Sequence, residues 1–199
     1  MINIIYFERI SFRIMKFKEF WQRYKKEIFK LLVTHIALAV FSIMCVSPLM
    51  VLDTSENESS VHTIIIIASV FVFAFYYYLI RSQLWTLGAK NKIAADGGRL
   101  KLIPYAGFLM GLFASIPSLI LNMIYIGTSF YRDYAGFSSV FTTTAFLEAL
   151  WDAPALGIRI VTGSPFAYLA SSLLPILFAG VAYFLGTKEF RLFGKRKAN

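Results

Sequence analysis

Four polar residues have the types and spacing to do chemistry in an otherwise apolar sequence: Asn122, Glu148, Asp152 and Arg159. Glu148 and Asp152 stand i,i+4, so a helix would bring both carboxyls to one face. Folded inward, these two and Arg159 would line a polar cavity, and ionisable groups at membrane depth are functional by default. Folded outward, they are the wet side of a short surface helix. The pattern favours the second placement. At 100° per residue, Val140, Phe146, Leu147, Leu150 and Trp151 share one face, with the acids and a misplaced Phe141 on another. Pro154 and Gly157 then break the helix, so no regular spacing aligns Arg159 with the acids. Asn122 lies deep in an apolar run, where one amide more often ties helices together than holds a ligand.

Other chemistries find no support. His35 and His62 fall at opposite ends of their apolar runs, ~25–30 Å apart if those runs cross a membrane, too far to share a metal. Cys45 has no partner for a disulfide or a thiolate pair. H-E-x-x-H and G-x-S-x-G are absent. Asp96-Gly97-Gly98-Arg99 lacks the spacing of a phosphate-wrapping loop, and lacks the later aspartates of a lipid-headgroup phosphotransferase. No catalytic residue, cofactor or metal is expected.

The elements that position these residues follow from composition. Hydrophobic residues make up 58% and charged residues 16% of the 199, with a net charge of +9. A soluble domain runs near ~45–50% and ~25%. Mean hydropathy is +0.65. Four runs reach the roughly 20 apolar residues that cross a bilayer: about 31–52, 62–80, 102–126 and 166–186. The expected fold is therefore an all-α integral membrane protein with four transmembrane helices. Residues 1–30 form a basic amphipathic helix, 31–187 the membrane domain and 188–199 a basic tail.

Charge orients the chain. Eighteen of the 20 Lys and Arg lie before the first span, between the second and third, or after the last. The positive-inside rule makes both termini cytoplasmic. Residues 138–161 carry only 12 consecutive apolar-leaning positions, 140–151, with Glu148 among them. A fifth span there would put the basic tail outside, so this segment is expected to lie on the surface or to re-enter the membrane.

Phe7, Ile10, Ile14, Phe17, Trp21, Tyr24 and Ile28 alternate steps of three and four, an apolar helical stripe. With Arg and Lys on another face, this arm is expected to lie in the headgroup region against anionic lipids of the cytoplasmic leaflet. The stripe would equally suit a partner helix. Gly107, Gly111 and Ser115 repeat at four-residue spacing, as do Ala182 and Gly186, making small faces for close helix packing.

The stretch Trp85-Thr-Leu-Gly-Ala-Lys-Asn-Lys-Ile-Ala-Ala-Asp-Gly-Gly-Arg-Leu-Lys101, the later Ile116-Pro117, and Tyr183-Phe184-Leu185-Gly186 before a basic tail resemble small uncharacterised bacterial membrane proteins. The resemblance implies a multi-spanning protein of a bacterial cytoplasmic membrane and brings no activity with it. Two functions are compatible with these features. The first is a non-enzymatic structural or accessory subunit, bound to partner subunits or to its own copies, with no nucleic acid. The second is a small-solute or ion transporter or channel with its site near the second external loop. The almost wholly apolar spans favour the first.

Overall fold

The computed structural model describes residues 2–51, 58–134, 136–164 and 166–188, the side chains of 2–16, 47, 49–51, 58, 161, 170 and 171 excepted. Six α-helices run in order: α1 Ile2–Val51, α2 Glu58–Asp96, α3 Ala106–Ser129, α4 Ser138–Trp151, α5 Leu156–Thr162 and α6 Ala167–Thr187. The described residues hold no strand. Four helices are long and apolar enough to cross a membrane, at Phe17–Val46, Ser59–Asp96, Ala106–Ser129 and Ala167–Thr187. Their outer surfaces are apolar: Ile67, Val70, Phe71 and Met123 are each at least 60% exposed. Helices apolar on the outside as well as the inside belong in lipid.

The two ends of the first two spans differ from expectation. α1 is one helix of 50 residues, with no break between the basic arm and the span. Phe20, Tyr24, Ile28 and Leu31 are buried in the main core, against Tyr76, Ile80 and Leu84 of α2 and Tyr183 of α6. Tyr24 and Ile28 of the expected stripe are therefore covered by protein rather than by headgroups. Phe17 and Trp21 remain half exposed and touch Phe113. The side chains of Phe7, Ile10 and Ile14 lie outside those described. α2, whose apolar run ends near residue 80, continues to Asp96. It ends where Gly98 adopts φ +69° and Arg99 N–H returns to the Ala94 carbonyl at 2.9 Å. Glycine takes that left-handed turn without a Cβ clash.

α6 packs chiefly against α2 and α3. A Cβ on Gly107 would stand 2.5 Å from the Ala179 carbonyl, and one on Gly111 2.9 Å from Ile176 Cα. A Cβ on Gly186 would stand 2.2 Å from the Trp85 carbonyl. Ser115 and Ala182 are buried. Both small-residue faces thus serve contacts within the bundle. Lipid is as apolar as leucine, so such close contact, not transfer from water, is what holds helices together here. At the end of the bundle where α2 finishes, Asn91 Nδ2 donates to Tyr24 and Tyr183 hydroxyls at 3.2 and 2.9 Å, joining α1, α2 and α6.

Candidate functional site in a hairpin inside the bundle

The segment between α3 and α6 does not lie on the surface. α4 has 14 residues, about 21 Å of helix, too short for a hydrocarbon core of about 30 Å. Pro154 sits in a 3-10 turn, Ala153–Ala155, that reverses the chain, and α5 returns. Gly163, at φ +61°, closes α5. Ala153, Pro154 and Ala155 at the tip are all buried. Ser42 Oγ of α1 donates to the Ala153 carbonyl at 3.0 Å. Val46 of α1 and Val61 and Ile65 of α2 pack with Leu156 and Ile160 of α5.

The hairpin's faces invert the expected placement. Val140, Phe146, Leu147 and Leu150 are 40–62% exposed, while Glu148 and Asp152 are fully buried. The acids that the amphipathic pattern assigned to water point into the protein, and the apolar face points out except at Trp151, whose ring lies 5.7 Å from that of His35. In water this arrangement would expose a greasy face and bury two carboxyls. In lipid the outward face is matched, and the charge faces polar groups of the bundle. Phe141, out of place on the helical wheel, lies on the inner side and stacks on Tyr125 at 5.7 Å.

Asp152 is the hub. Its Oδ2 accepts from Ser118 Oγ at 2.7 Å, Asn122 Nδ2 at 2.8 Å and Ser172 Oγ at 3.3 Å. Ser118 is near the middle of α3 and Ser172 is on α6, so one carboxylate joins the hairpin to two spans. Asn122 Nδ2 also donates to Ser172 Oγ at 2.8 Å. On its other side, Asp152 Oδ1 faces His35 Nε2 at 3.3 Å. That nitrogen also lies 3.1 Å from the Trp151 carbonyl. Both neighbours are acceptors, so Nε2 carries the hydrogen. Nδ1 meets the Tyr76 hydroxyl at 3.0 Å and can accept from it or, on the imidazolium, donate to it. A chain of polar contacts therefore runs from Tyr76 on α2 through His35 on α1 to Asp152. A cavity with room for about one water adjoins His35 and Tyr76, lined also by Leu31, Ile80, Gly111 and Ser115.

Asn122 and Asp152 thus meet directly. Glu148 lies one turn away, with neither carboxyl oxygen hydrogen-bonded in the described structure. Arg159 makes no hydrogen bond or ion pair with the acids among the described contacts, although its charge acts on Glu148: its Nη1 donates to the Tyr168 hydroxyl at 2.9 Å, and its guanidinium lies 5.2 Å from that ring and 5.7 Å from the Tyr125 ring. His35, Ser118, Ser172 and Tyr76 were missed from sequence. Ser118 and Asn122, i,i+4 in an apolar run, were a usable signal for a polar stripe on α3. His35 offered none, because its partners lie 41 and 117 positions away.

The two acids are held in different states. Burial pushes the Glu148 carboxyl up to about 9, and the nearby Asp152 charge adds to it. Burial would raise Asp152 too, but His35, Ser118 and Asn122 outweigh it and hold this carboxyl below its ordinary range. Near neutrality Glu148 keeps its proton and Asp152 has lost its own, a division that suits a site exchanging one proton. Among the described residues, no three His, Cys, Asp or Glu side chains converge as metal ligands.

A pH effect on stability follows. Glu148 binds its proton more tightly folded than unfolded, so its contribution is complete below about pH 4.5 and is lost as pH rises toward about 9. The slope is at most about 1.4 kcal/mol per pH unit. Asp152, shifted the other way, loses its contribution only as pH falls through its depressed value. Melting temperature in detergent should therefore fall between pH 6 and pH 9, and Glu148→Gln should flatten that fall. An equally steep fall in the variant would assign the titration elsewhere.

No protein-family model, curated protein or solved structure matches this chain.

Proposed function

We propose that the protein is a small membrane transporter or channel that takes up and releases a proton at the Glu148–Asp152–His35 centre. The observation that carries this reading is the complete burial of both carboxyls on a hairpin whose apolar face points outward. Buried charge is expensive in a membrane, and such groups commonly mark ion or proton pathways. A broken hairpin meeting polar side chains near the middle of a span is also how transporter sites are built. Tyr76, His35 and the adjoining cavity extend the centre toward the end of the bundle where the cations cluster.

The orientation we propose keeps both cation-rich ends in the cytoplasm, by the charge count, in a bacterial cytoplasmic membrane. Residues 1–16, with three of the arm's cations, then meet the anionic leaflet. An accessory-subunit role keeps one support, the half-exposed Phe17 and Trp21 on α1, because both small-residue faces are used within the bundle.

Reconstitution in liposomes tests the function. A pH step across vesicles at clamped potential should move protons faster than in protein-free vesicles, and Glu148→Gln should lower the excess at least about tenfold. Wild-type flux equal to empty vesicles, or flux indifferent to Glu148→Gln, overturns the proposal. In the same vesicles, cysteines at Ser59 and Ala198 in a Cys45→Ala background should label from opposite sides. Labelling of both from one side refutes the orientation.

A further inference from the structure

A large hollow lies away from the carboxyl centre. It is a groove of about 700 Å³ between the lower part of α1 and the start of α3. Phe17, Phe20, Leu109 and Phe113 form its apolar wall, with Pro104 and Tyr105 at one side. Arg23 and Lys101 stand at its edge, with Glu19 the one acid in its lining. Arg23 reaches toward α3: Nη1 donates to the Lys101 carbonyl at 3.4 Å, and the guanidinium lies 4.9 Å from the Tyr24 ring. Neither Arg23 nor Lys101 takes part in an ion pair among the described residues.

We infer that this groove holds one anionic phospholipid, its phosphate between Arg23 and Lys101 and an acyl chain along Phe17, Phe20, Leu109 and Phe113. Charge complementarity selects the occupant. The wall is too apolar for a free phosphate and the edge too cationic for a neutral tail alone. The groove also sits where the cationic loop ending at Lys101 passes into apolar α3, the level at which headgroups lie. Two cations beside an apolar furrow are a means of recognising an anionic headgroup. Glu19 would oppose a second negative charge, which favours a headgroup carrying only its phosphodiester charge, or that charge with one more directed away.

Native mass spectrometry of the full chain, released from nanodiscs of mixed phosphatidylglycerol and phosphatidylcholine, tests this. One phosphatidylglycerol should stay bound in preference to phosphatidylcholine of equal chain length. Arg23→Gln and Lys101→Gln should each lower that preference about fivefold, the equivalent of about 1 kcal/mol for one cation near the surface. Glu19→Gln should not lower it. Soluble glycerol phosphate at millimolar concentration should not displace the lipid. Equal retention of the two lipids, or a preference unchanged in both cation variants, overturns the inference. Displacement by glycerol phosphate would identify a phosphate site rather than a lipid site and overturn it equally. All three changed residues lie at the groove's edge, and unchanged melting of the variants keeps the comparison clean.

Discussion

The Asp152→Asn protein should melt far below the wild type, by the equivalent of about 3–5 kcal/mol, the cost of breaking a buried charged contact from one side. The carboxylate accepts from Ser118, Asn122 and Ser172 on one oxygen and faces His35 with the other. An asparagine in its place turns an NH2 group toward one of those sets of donors, whichever way the amide is rotated. His35→Gln should also destabilise, because it removes the group facing Asp152 Oδ1 and the partner of Tyr76. The double variant should be better than the sum of the two by about 1–3 kcal/mol, since the second change acts on an interaction already lost. Arg159→Gln, which acts on Tyr168 instead, should add to Asp152→Asn without coupling. Thermal melting of these five variants in one detergent gives the answer. Additivity of His35 and Asp152 within about 0.5 kcal/mol would mean that their approach carries no energy.

Gly157→Leu should displace the hairpin. A Cβ at this position would stand 2.0 Å from Ser69 Oγ and 3.0 Å from the Ile65 carbonyl. The serine hydroxyl can turn away, but Ser69 Cβ, at 2.8 Å, and the backbone carbonyl of α2 cannot. Gly157→Ala should therefore cost about 1–3 kcal/mol, as overpacking does, and Gly157→Leu more. Ser69→Gly should restore most of the loss in the alanine variant and little in the leucine one, because it removes the clashes with the serine side chain and leaves the one with the carbonyl. Accessibility of a cysteine at Ser42, which is buried against the hairpin tip, to a water-soluble thiol reagent in a Cys45→Ala background is an independent readout. It should rise on adding Gly157→Leu. Melting and labelling unchanged by Gly157→Leu would show that α5 need not sit against α2.

What was legible in the sequence was whatever depends on composition along a run. The four spans are such features, because about 20 apolar residues with no charge have one place to go. α2 ran well past its apolar run, to the turn at Gly97-Gly98. The faces of α4 were read correctly as a pattern and assigned to the wrong solvents. Val140, Phe146, Leu147 and Leu150 do share a face away from Glu148 and Asp152, but a helical wheel does not say which side is wet. The deciding information was tertiary: Ser118, Asn122 and Ser172 on other helices give the acids a polar environment. Phe141 was the local clue. An aromatic ring on the supposed water face fits only if that face meets protein, and it stacks there on Tyr125. In the basic arm, Tyr24 and Ile28 are covered by protein where lipid would have served as well, while Phe17 and Trp21 stay half exposed.

The hairpin also sets an order on synthesis. α4 and α5 precede α6 in the chain, yet the carboxylate at their junction needs Ser172, which lies on α6. As the chain grows, α4 leaves the ribosome before its polar face has a complete lining. An apolar helix can wait in lipid, but this one carries two acids on the side that must be enclosed. The hairpin is thus unable to reach its final seat as an independent unit, and its entry between α1, α2 and α3 is completed only with the last span in place. A chain cut after Thr162 would retain three spans and every residue of the hairpin, and still lack one wall of its resting place.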